Sequence, residues 1–267
     1  MKTFRLIGMA LLALCVNFVS CSDDEEPTKN DDGVITNQKR LMQIKMVDDD
    51  GESDITEYAY DNNGKLVSAK RTNQYDGKEY TSTYTITWGT NKIIESRDGE
   101  VTTYTLKDGL VTYTSDSDGG DLDNTDFTYN EHNQLVKLQY NENEYISYTW
   151  QSEKLTKMTW HEQHYDDSDE EMFYSGKTCK GYLPIMVWCV DDLHPLLEAH
   201  PELVGMRCNQ LPDQISEKND SYESIDKCTY TFDKDGYIES CTVELTYKHL
   251  DINETRTETT IYTFTWE

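Results

Sequence analysis

Apolar and polar residues alternate in short stretches along most of the chain. Met42, Ile44 and Met46 alternate in the first such stretch, and residues 80–88 continue the pattern after a turn. Alternation with a period of two is typical of a strand with one buried and one wet face. The pattern therefore predicts a mainly β protein: an antiparallel meander of about a dozen strands forming a strongly curved sheet or a barrel-like fold.

One hairpin unit repeats within this pattern. Residues 58–67 read Tyr-Ala-Tyr-Asp-Asn-Asn-Gly-Lys-Leu-Val, and related units occur at 129–135 and 232–238. Polar residues ending in Gly64 predict a type I turn with a G1 bulge, because glycine adopts a positive φ without strain. In that register Tyr60 is expected opposite Leu66, and Tyr58 opposite Ser68.

The alternation stops between residues 176 and 224, which predicts an insert in the sheet. Residues 191–200 have the apolar spacing of a short helix, with Asp191 or Asp192 as its cap and Pro195 in its first turn, and Pro201 limits its end or starts a further turn. We expect one helical insert near residues 183–204 that covers the apolar face of the sheet.

The first 20 residues are typical of a signal peptide, with Lys2 and Arg5 followed by an apolar run. Phe18-Val19-Ser20-Cys21 resembles a lipoprotein processing box, which predicts acylation of Cys21. The alternative is an ordinary secretory signal cleaved nearby. Residues 21–38 are then expected to form a flexible acidic tether, and residues 39–267 a single β-rich domain with an insert.

Charge limits the partners of this chain. Removal of Lys2 and Arg5 with the signal peptide moves the formal net charge from −27 to about −29. Such a chain is repelled by phosphate, so nucleic acid is not expected as a partner. The membrane is expected to hold the protein only through the lipid on Cys21.

Several short motifs carry a family likeness. Residues 200–205 read His-Pro-Glu-Leu-Val-Gly, residues 209–212 read Asn-Gln-Leu-Pro, and the hairpin at 230–237 follows them. The chain resembles a family of uncharacterised Bacteroidetes lipoproteins, a domain of unknown function with a porin-like β fold, and its hairpins resemble YD repeats. The acidic run after Cys21 resembles the export signal of surface lipoproteins, although it also fits a plain spacer. The resemblance implies a fold and a place at the outer membrane, and offers no catalytic residues.

One loop has the composition of a calcium site. Asp116, Asp118, Asp121 and Asp123 crowd a loop that contains two glycines, and carboxylate oxygens are the ligands that calcium prefers. The spacing lacks the order of an EF-hand, so a solvated acidic turn is the alternative. No other cofactor is expected.

The cysteines after Cys21 are Cys179, Cys189, Cys208, Cys228 and Cys241. Cys228 and Cys241 lie on the two arms of the last repeat unit. The G1-bulge register predicts Cys228 opposite Thr242 and Cys241 opposite Thr229, with the two thiols on opposite faces of the sheet.

Three hypotheses for function remain open. The first is a non-enzymatic envelope protein that binds a glycan or peptide on an aromatic sheet face, with Tyr84, Trp88, Tyr148, Trp150 and Trp188 as candidate ligand-binding residues. The second is a structural or assembly role at the outer-membrane surface, which requires these aromatic residues to be buried. The third is a hydrolase, which requires two close carboxylates in a pocket, one with a raised pKa.

Overall fold

The computed structural model describes residues 38–117, 124–162, 167–184, 194–218, 222–250 and 254–267. Within these residues the chain forms a closed antiparallel barrel of 16 strands, so the predicted β meander is confirmed. The predicted number of strands, about a dozen, is too low. Part of the difference comes from the predicted insert, because residues 214–218 and 222–224 belong to barrel strands.

The barrel strands follow one another around the wall in chain order. They are β1 (Leu41–Val47), β2 (Ser53–Tyr60), β3 (Leu66–Tyr75), β4 (Lys78–Trp88), β5 (Lys92–Arg97), β6 (Glu100–Lys107), β7 (Leu110–Asp116), β8 (Thr125–Tyr129), β9 (Leu135–Asn141), β10 (Glu144–Gln151), β11 (Lys154–His161), β12 (Ser168–Phe173), β15 (Gln214–Lys218), β16 (Tyr222–Phe232), β17 (Ile238–His249) and β18 (Glu254–Trp266). Strand β18 pairs with β1 and closes the barrel.

The connection between β12 and β15 contains the predicted helical insert. It holds strands β13 (Lys177–Thr178) and β14 (Gln210–Leu211), helix α1 (Pro195–Ala199) and a 3-10 turn (Pro201–Val204). We call its described parts, residues 174–184 and 194–213, the plug. Pro195 starts the helix and Pro201 starts the further turn, as predicted, whereas Asp191 and Asp192 lie outside the described residues.

The plug lies at the end of the barrel that carries the repeat-unit turns, because His200 accepts the Leu66 backbone N–H at 3.2 Å and Gly205 packs against Asn133. We call this rim the plug end and the opposite rim the open end. Leu196, Leu197 and Val204 are fully buried in the interior. The Glu95 carboxylate on β5 accepts the Leu196 backbone N–H at 3.2 Å, so the barrel wall caps the helix. The Tyr58 hydroxyl donates to Glu198 at 2.5 Å and anchors the helix on another side.

The outer face of the barrel is polar. On β4, Thr81, Thr83, Thr85 and Thr87 are exposed, while Tyr84 and Ile86 between them are buried. The same alternation holds at the end of β18. The apolar set of the strands therefore points inward onto the plug and the polar set points into water. No helix among the described residues is long and apolar enough to cross a membrane.

The repeat-unit hairpin forms with one more irregularity than predicted. Gly64 has φ 81° and donates its N–H to the Asp61 carbonyl at 3.1 Å, and Tyr60 lies opposite Leu66, as predicted. Tyr58, however, lies opposite Ala69, so its predicted pairing with Ser68 is wrong. The cause is a second bulge that shifts the register between Ala59 and Tyr60.

The same kind of bulge changes the positions of two cysteines. A register shift between Thr231 and Phe232 places Cys228 opposite Val243 and Cys241 opposite Tyr230. Both predicted pairings are wrong, and the two thiols share the inward face, where they are 4% and 0% exposed. A hydrogen bond with Cys228, followed by burial, raises the pKa of the Cys241 thiol. Cys179, Cys228 and Cys241 are free thiols.

Aromatic side chains satisfy the carbonyl groups at these bulges. A bulge removes a backbone group from the ladder, and a buried carbonyl without a donor is costly. In six cases an aromatic residue at the end of a strand donates to the carbonyl beside a bulge or register shift. The donor and acceptor pairs are Tyr60 to Leu41 (2.6 Å), Trp88 to Leu66 (2.8 Å), Tyr129 to Val111 (2.5 Å), Trp150 to Leu135 (2.6 Å), Tyr174 to Leu155 (2.7 Å) and Trp266 to Ile238 (2.8 Å). The recurring aromatics thus fix the register of the hairpins.

Candidate functional site

The aromatic residues predicted to bind a ligand do not form one exposed face. Tyr84 and Tyr148 are 3% and 5% exposed and belong to the core. Trp88 and Trp150 are half-buried, and their indole N–H groups donate hydrogen bonds to the carbonyl groups beside bulges. Trp188 lies outside the described residues. These placements favour a structural role for the four described residues, and their ligand binding stays a prediction.

The structural role of Trp88 has a direct test. Trp88→Phe keeps the aromatic ring but leaves the Leu66 carbonyl without its donor, so we expect it to lower the free energy of unfolding by about 1–2 kcal/mol. Urea unfolding monitored by circular dichroism measures the loss. Trp150→Phe should lose a similar amount, whereas Tyr80→Phe, on an exposed side chain, should change little. Equal stability of Trp88→Phe and the wild-type protein would contradict the role.

Of the four predicted calcium ligands, Asp116 is the one within the described residues. The Asp116 carboxylate accepts a hydrogen bond from the Thr102 hydroxyl at 2.9 Å. Asp118, Asp121 and Asp123 lie outside the described residues, as does Cys21, so calcium binding and acylation stay predictions. Among the described residues, no group of three or more His, Cys, Asp or Glu side chains is arranged so that it could hold a metal ion.

The structure instead brings together three carboxylates that the sequence analysis did not select. Glu170 on β12, Glu217 on β15 and Asp226 on β16 point into the barrel and are 7%, 8% and 5% exposed. The register of the strands explains why these residues are close. Glu170 on β12 lies opposite Glu217 on β15. Asp226 on β16 lies opposite Ile215, which is two residues before Glu217 on β15. Adjacent strands therefore hold the three side chains around one point near the open end.

These carboxylates surround a pocket, which we call the acidic pocket. Its other lining residues are Ile215, Tyr222, Ser224, Leu245 and Tyr247. The free space is about 40 Å³, enough for a small functional group or a few water molecules. The rings of Tyr222 and Tyr247 stack with their centroids 5.1 Å apart on the side of the open end.

Hydrogen bonds leave part of the pocket's acceptor capacity unused. Ser168 and Tyr222 both donate their hydroxyls to Glu217 Oε1. The Trp160 side chain hydrogen-bonds to Glu170. Asp226 Oδ1 is buried and has no hydrogen-bond partner among the described residues. A buried carboxylate oxygen without a donor is unfavourable, so this atom marks a place where a ligand would be stabilised.

The electrostatics of the acidic pocket favour protonated carboxyls when it is empty. Burial, followed by the negative charges of Glu217 and Asp226, raises the pKa of Glu170 to about 8. Burial, followed by the charge of Glu217, raises the pKa of Asp226 to about 7. Among the described residues that line the pocket there is no lysine, arginine or histidine. A proton or an external cation must therefore balance these carboxylates.

Strand phase is the signal that could have revealed these residues. Asp226 is in phase with Cys228 and Tyr230, and Glu170 is in phase with Met172, all of which point inward. A carboxylate in an apolar phase is unusual, because charged residues are rarely buried without a partner. The sequence analysis grouped carboxylates by their spacing along the chain and so missed residues that only the sheet brings together.

The fold and the pocket define the chain as a plugged β-barrel with a porin-like fold. It is similar to a solved porin-like protein from Bacteroides uniformis ATCC 8492, with a TM-score of 0.65 and 17% identity over 85% of this chain and 98% of that chain. A porin-like protein from Bacteroides vulgatus ATCC 8482 aligns with a TM-score of 0.30 and 9% identity, over 86% of this chain and 99% of that chain. No family model and no curated protein match the chain. The predicted porin-like fold is confirmed.

Proposed function

We propose that this chain is a non-enzymatic binding protein of the cell envelope, held at the outer membrane by a lipid on Cys21. The observation that carries the binding role is the acidic pocket, where three buried carboxylates face a space that no cationic side chain of the described residues lines. The unpartnered Asp226 Oδ1 adds an acceptor that a ligand would satisfy. The described plug packs into the other end of the barrel, so we expect a ligand to reach the pocket from the open end.

The outer face supports attachment through a lipid rather than through the barrel wall. A barrel that crosses a membrane presents an apolar band to lipid, whereas the exposed positions of β4 and the end of β18 are mainly threonine. A barrel wall whose exposed positions are mainly threonine is more stable in water than in lipid. A lipid on Cys21 followed by the acidic tether at residues 21–38 would keep the barrel near the membrane, on the cell surface if the acidic run acts as an export signal.

The pocket favours a peptide or other small ligand over a glycan. A space of about 40 Å³ admits one functional group and is smaller than the cavities of roughly 300–1,000 Å³ that enclose whole organic ligands. Tyr84 and Tyr148, which could stack on a sugar, are buried in the core. A side chain or terminal group of a peptide fits this geometry.

A thermal-shift screen of the full-length protein against peptides, amines, glycans and divalent ions tests the binding role. A ligand that binds the folded state raises the melting temperature, and we expect Glu170→Gln and Asp226→Asn to abolish that shift. Glu171→Gln is the matched control, because Glu171 is exposed on the same strand. A complete screen without a shift that depends on the pocket would instead favour the structural or assembly role.

The arrangement of Glu170 and Glu217 gives a second candidate function. Two carboxylates lie opposite each other in a pocket, and Glu170 has a pKa raised to about 8, which are the requirements of an acid-base hydrolase. The small volume makes it difficult to hold a scissile sugar linkage between them. Hydrolysis of a chromogenic glycoside or peptide that disappears in Glu170→Gln would establish this activity.

A further inference from the structure

We propose that the acidic pocket recognises an organic ammonium group, such as a lysine side chain of a peptide or the end of a polyamine, and releases protons when it binds. The inference rests on the proposed binding function and names the ligand class. It draws on the charge, the donor and acceptor pattern, and the aromatic pair of the pocket.

The charge of the pocket calls for a cation. Glu170, Glu217 and Asp226 carry up to three negative charges, and the lining residues that the structure describes include no basic side chain. From the adjoining strands, β11 contributes Met158 and Trp160, and β17 contributes Leu245 and Tyr247. None of these four side chains supplies a positive charge. Buried carboxylates without a counter-charge are unstable, so a cation entering this space is strongly favoured over a neutral or anionic group.

The donor and acceptor pattern fits an ammonium better than a metal ion. An ammonium offers three N–H donors from one small centre, and Asp226 Oδ1, which is buried and without a partner among the described residues, is an acceptor ready for one of them. Glu170 and Glu217 supply acceptors on two neighbouring strands. A metal ion would need carboxylates in direct coordination, and no group of acidic or other ligating side chains in the described part of the chain has that arrangement.

The aromatic pair adds a second element of ammonium recognition. Tyr222 and Tyr247 line the pocket with their rings inclined by 29°. A cation beside the face of a tyrosine ring is attracted by its quadrupole, and alkylammonium groups also bring methylene groups that pack on the ring. A compact ammonium and its first methylene group fit the space of about 40 Å³, whereas a guanidinium needs room for a planar fork.

Proton release follows from the state of the empty pocket. The raised pKa values of Glu170, about 8, and Asp226, about 7, mean that both carboxyls carry protons over much of the neutral range. An ammonium pairs with carboxylates, so binding must displace these protons. Alkylammonium groups keep their own charge to about pH 10. Affinity therefore rises between pH 6 and pH 8.5, while the number of protons released per ligand is greatest near pH 6 and falls as pH rises through the two pKa values.

Isothermal titration calorimetry of the full-length protein tests the inference with two matched probes. Nα-acetyl-lysine amide carries the ammonium, and its Nε-acetylated form lacks the charge but keeps the side chain. We expect the first probe to bind at least tenfold more tightly at pH 8.5 than at pH 6, with an enthalpy that depends on the buffer because protons are released. The acetylated probe should not bind. Glu170→Gln and Asp226→Asn should remove the binding, and Glu171→Gln should leave it unchanged.

Other outcomes separate this inference from the proposed function. Equal binding of the acetylated probe, or affinity that is independent of pH, would overturn the ammonium inference. Calcium chloride or a neutral sugar that binds in the wild-type protein and not in Glu170→Gln would also overturn it, while the binding function would stand. If no tested ligand shows binding that is lost in Glu170→Gln or Asp226→Asn, both the ammonium inference and the proposed binding function are wrong.

Discussion

Glu170→Gln is expected to make the protein more stable than the wild type at pH 9, by about 3–5 kcal/mol, and equally stable at pH 4. Burial, followed by the charges of Glu217 and Asp226, raises the pKa of Glu170 in the folded state to about 8 from an ordinary value of 4.5. The folded protein therefore binds a proton that the unfolded chain releases between these two pH values. A glutamine at the same position has no proton to lose.

The sign of this effect follows from proton binding. Because the folded state holds more protons, the wild-type protein loses stability as pH rises from about 4.5 to 8. Glu170→Gln lacks this proton-linked contribution, so the difference in the free energy of unfolding between the variant and the wild-type protein grows across that pH range. Urea unfolding at pH 4, 7 and 9 measures it. Glu171→Gln, on the exposed neighbour, should follow the wild-type curve, and a Glu170→Gln variant no more stable than the wild type at pH 9 would rule out the raised pKa.

Gly205→Ala is expected to lower the free energy of unfolding by about 3–4 kcal/mol. A Cβ at this position would lie 2.2 Å from the Asn133 carbonyl oxygen and 3.2 Å from the Leu135 nitrogen. Both neighbours are backbone atoms of the turn between β8 and β9, so they cannot rotate away. Gly205 also has φ +63°, which adds about 1 kcal/mol for alanine. The expected loss measures how closely the plug packs on the barrel rim.

Gly51→Ala provides the matched control for this variant. Gly51 has φ +81° and no atom within 4 Å of the position of a Cβ. Gly51→Ala therefore has the cost of a positive φ but no steric contact with other atoms. We expect it to lower the free energy of unfolding by about 1 kcal/mol. Chemical unfolding of both variants gives the difference. Equal losses at the two glycines would show that the plug does not press against the turn.

The hairpin pattern was sufficient to predict most of the fold. Alternation along β1 and β4 predicted the strands, and the turn at Gly64 predicted the pairing of Tyr60 with Leu66. The second bulge was not predicted, because it depends on Trp88 of another strand donating to the Leu66 carbonyl. The spacing of residues within one hairpin gives no information about that contact. The error in the pairing of Cys228 has the same kind of origin, because Trp266 donates to the Ile238 carbonyl beside the bulge that shifts Cys228.

The acidic pocket was less accessible to sequence reasoning. Glu170 and Glu217 are separated by the whole plug along the chain and meet only because β12 pairs with β15. Their inward phase was readable, but the partners across the sheet depend on where β15 begins. The predicted insert, at residues 176–224, contained β15. Without that strand, Glu217 had no assigned position and the pocket could not be constructed.

The aromatic donors described above also affect how such a barrel could change in size. Each donor acts on a bulge in the adjoining strand, so the register of a hairpin is determined within the hairpin and its nearest neighbour. Gain or loss of a complete hairpin would alter the circumference and leave the remaining donors with their acceptors. A wall built in this way is modular, so duplication of a complete hairpin would enlarge the barrel and leave the register of the other hairpins unchanged.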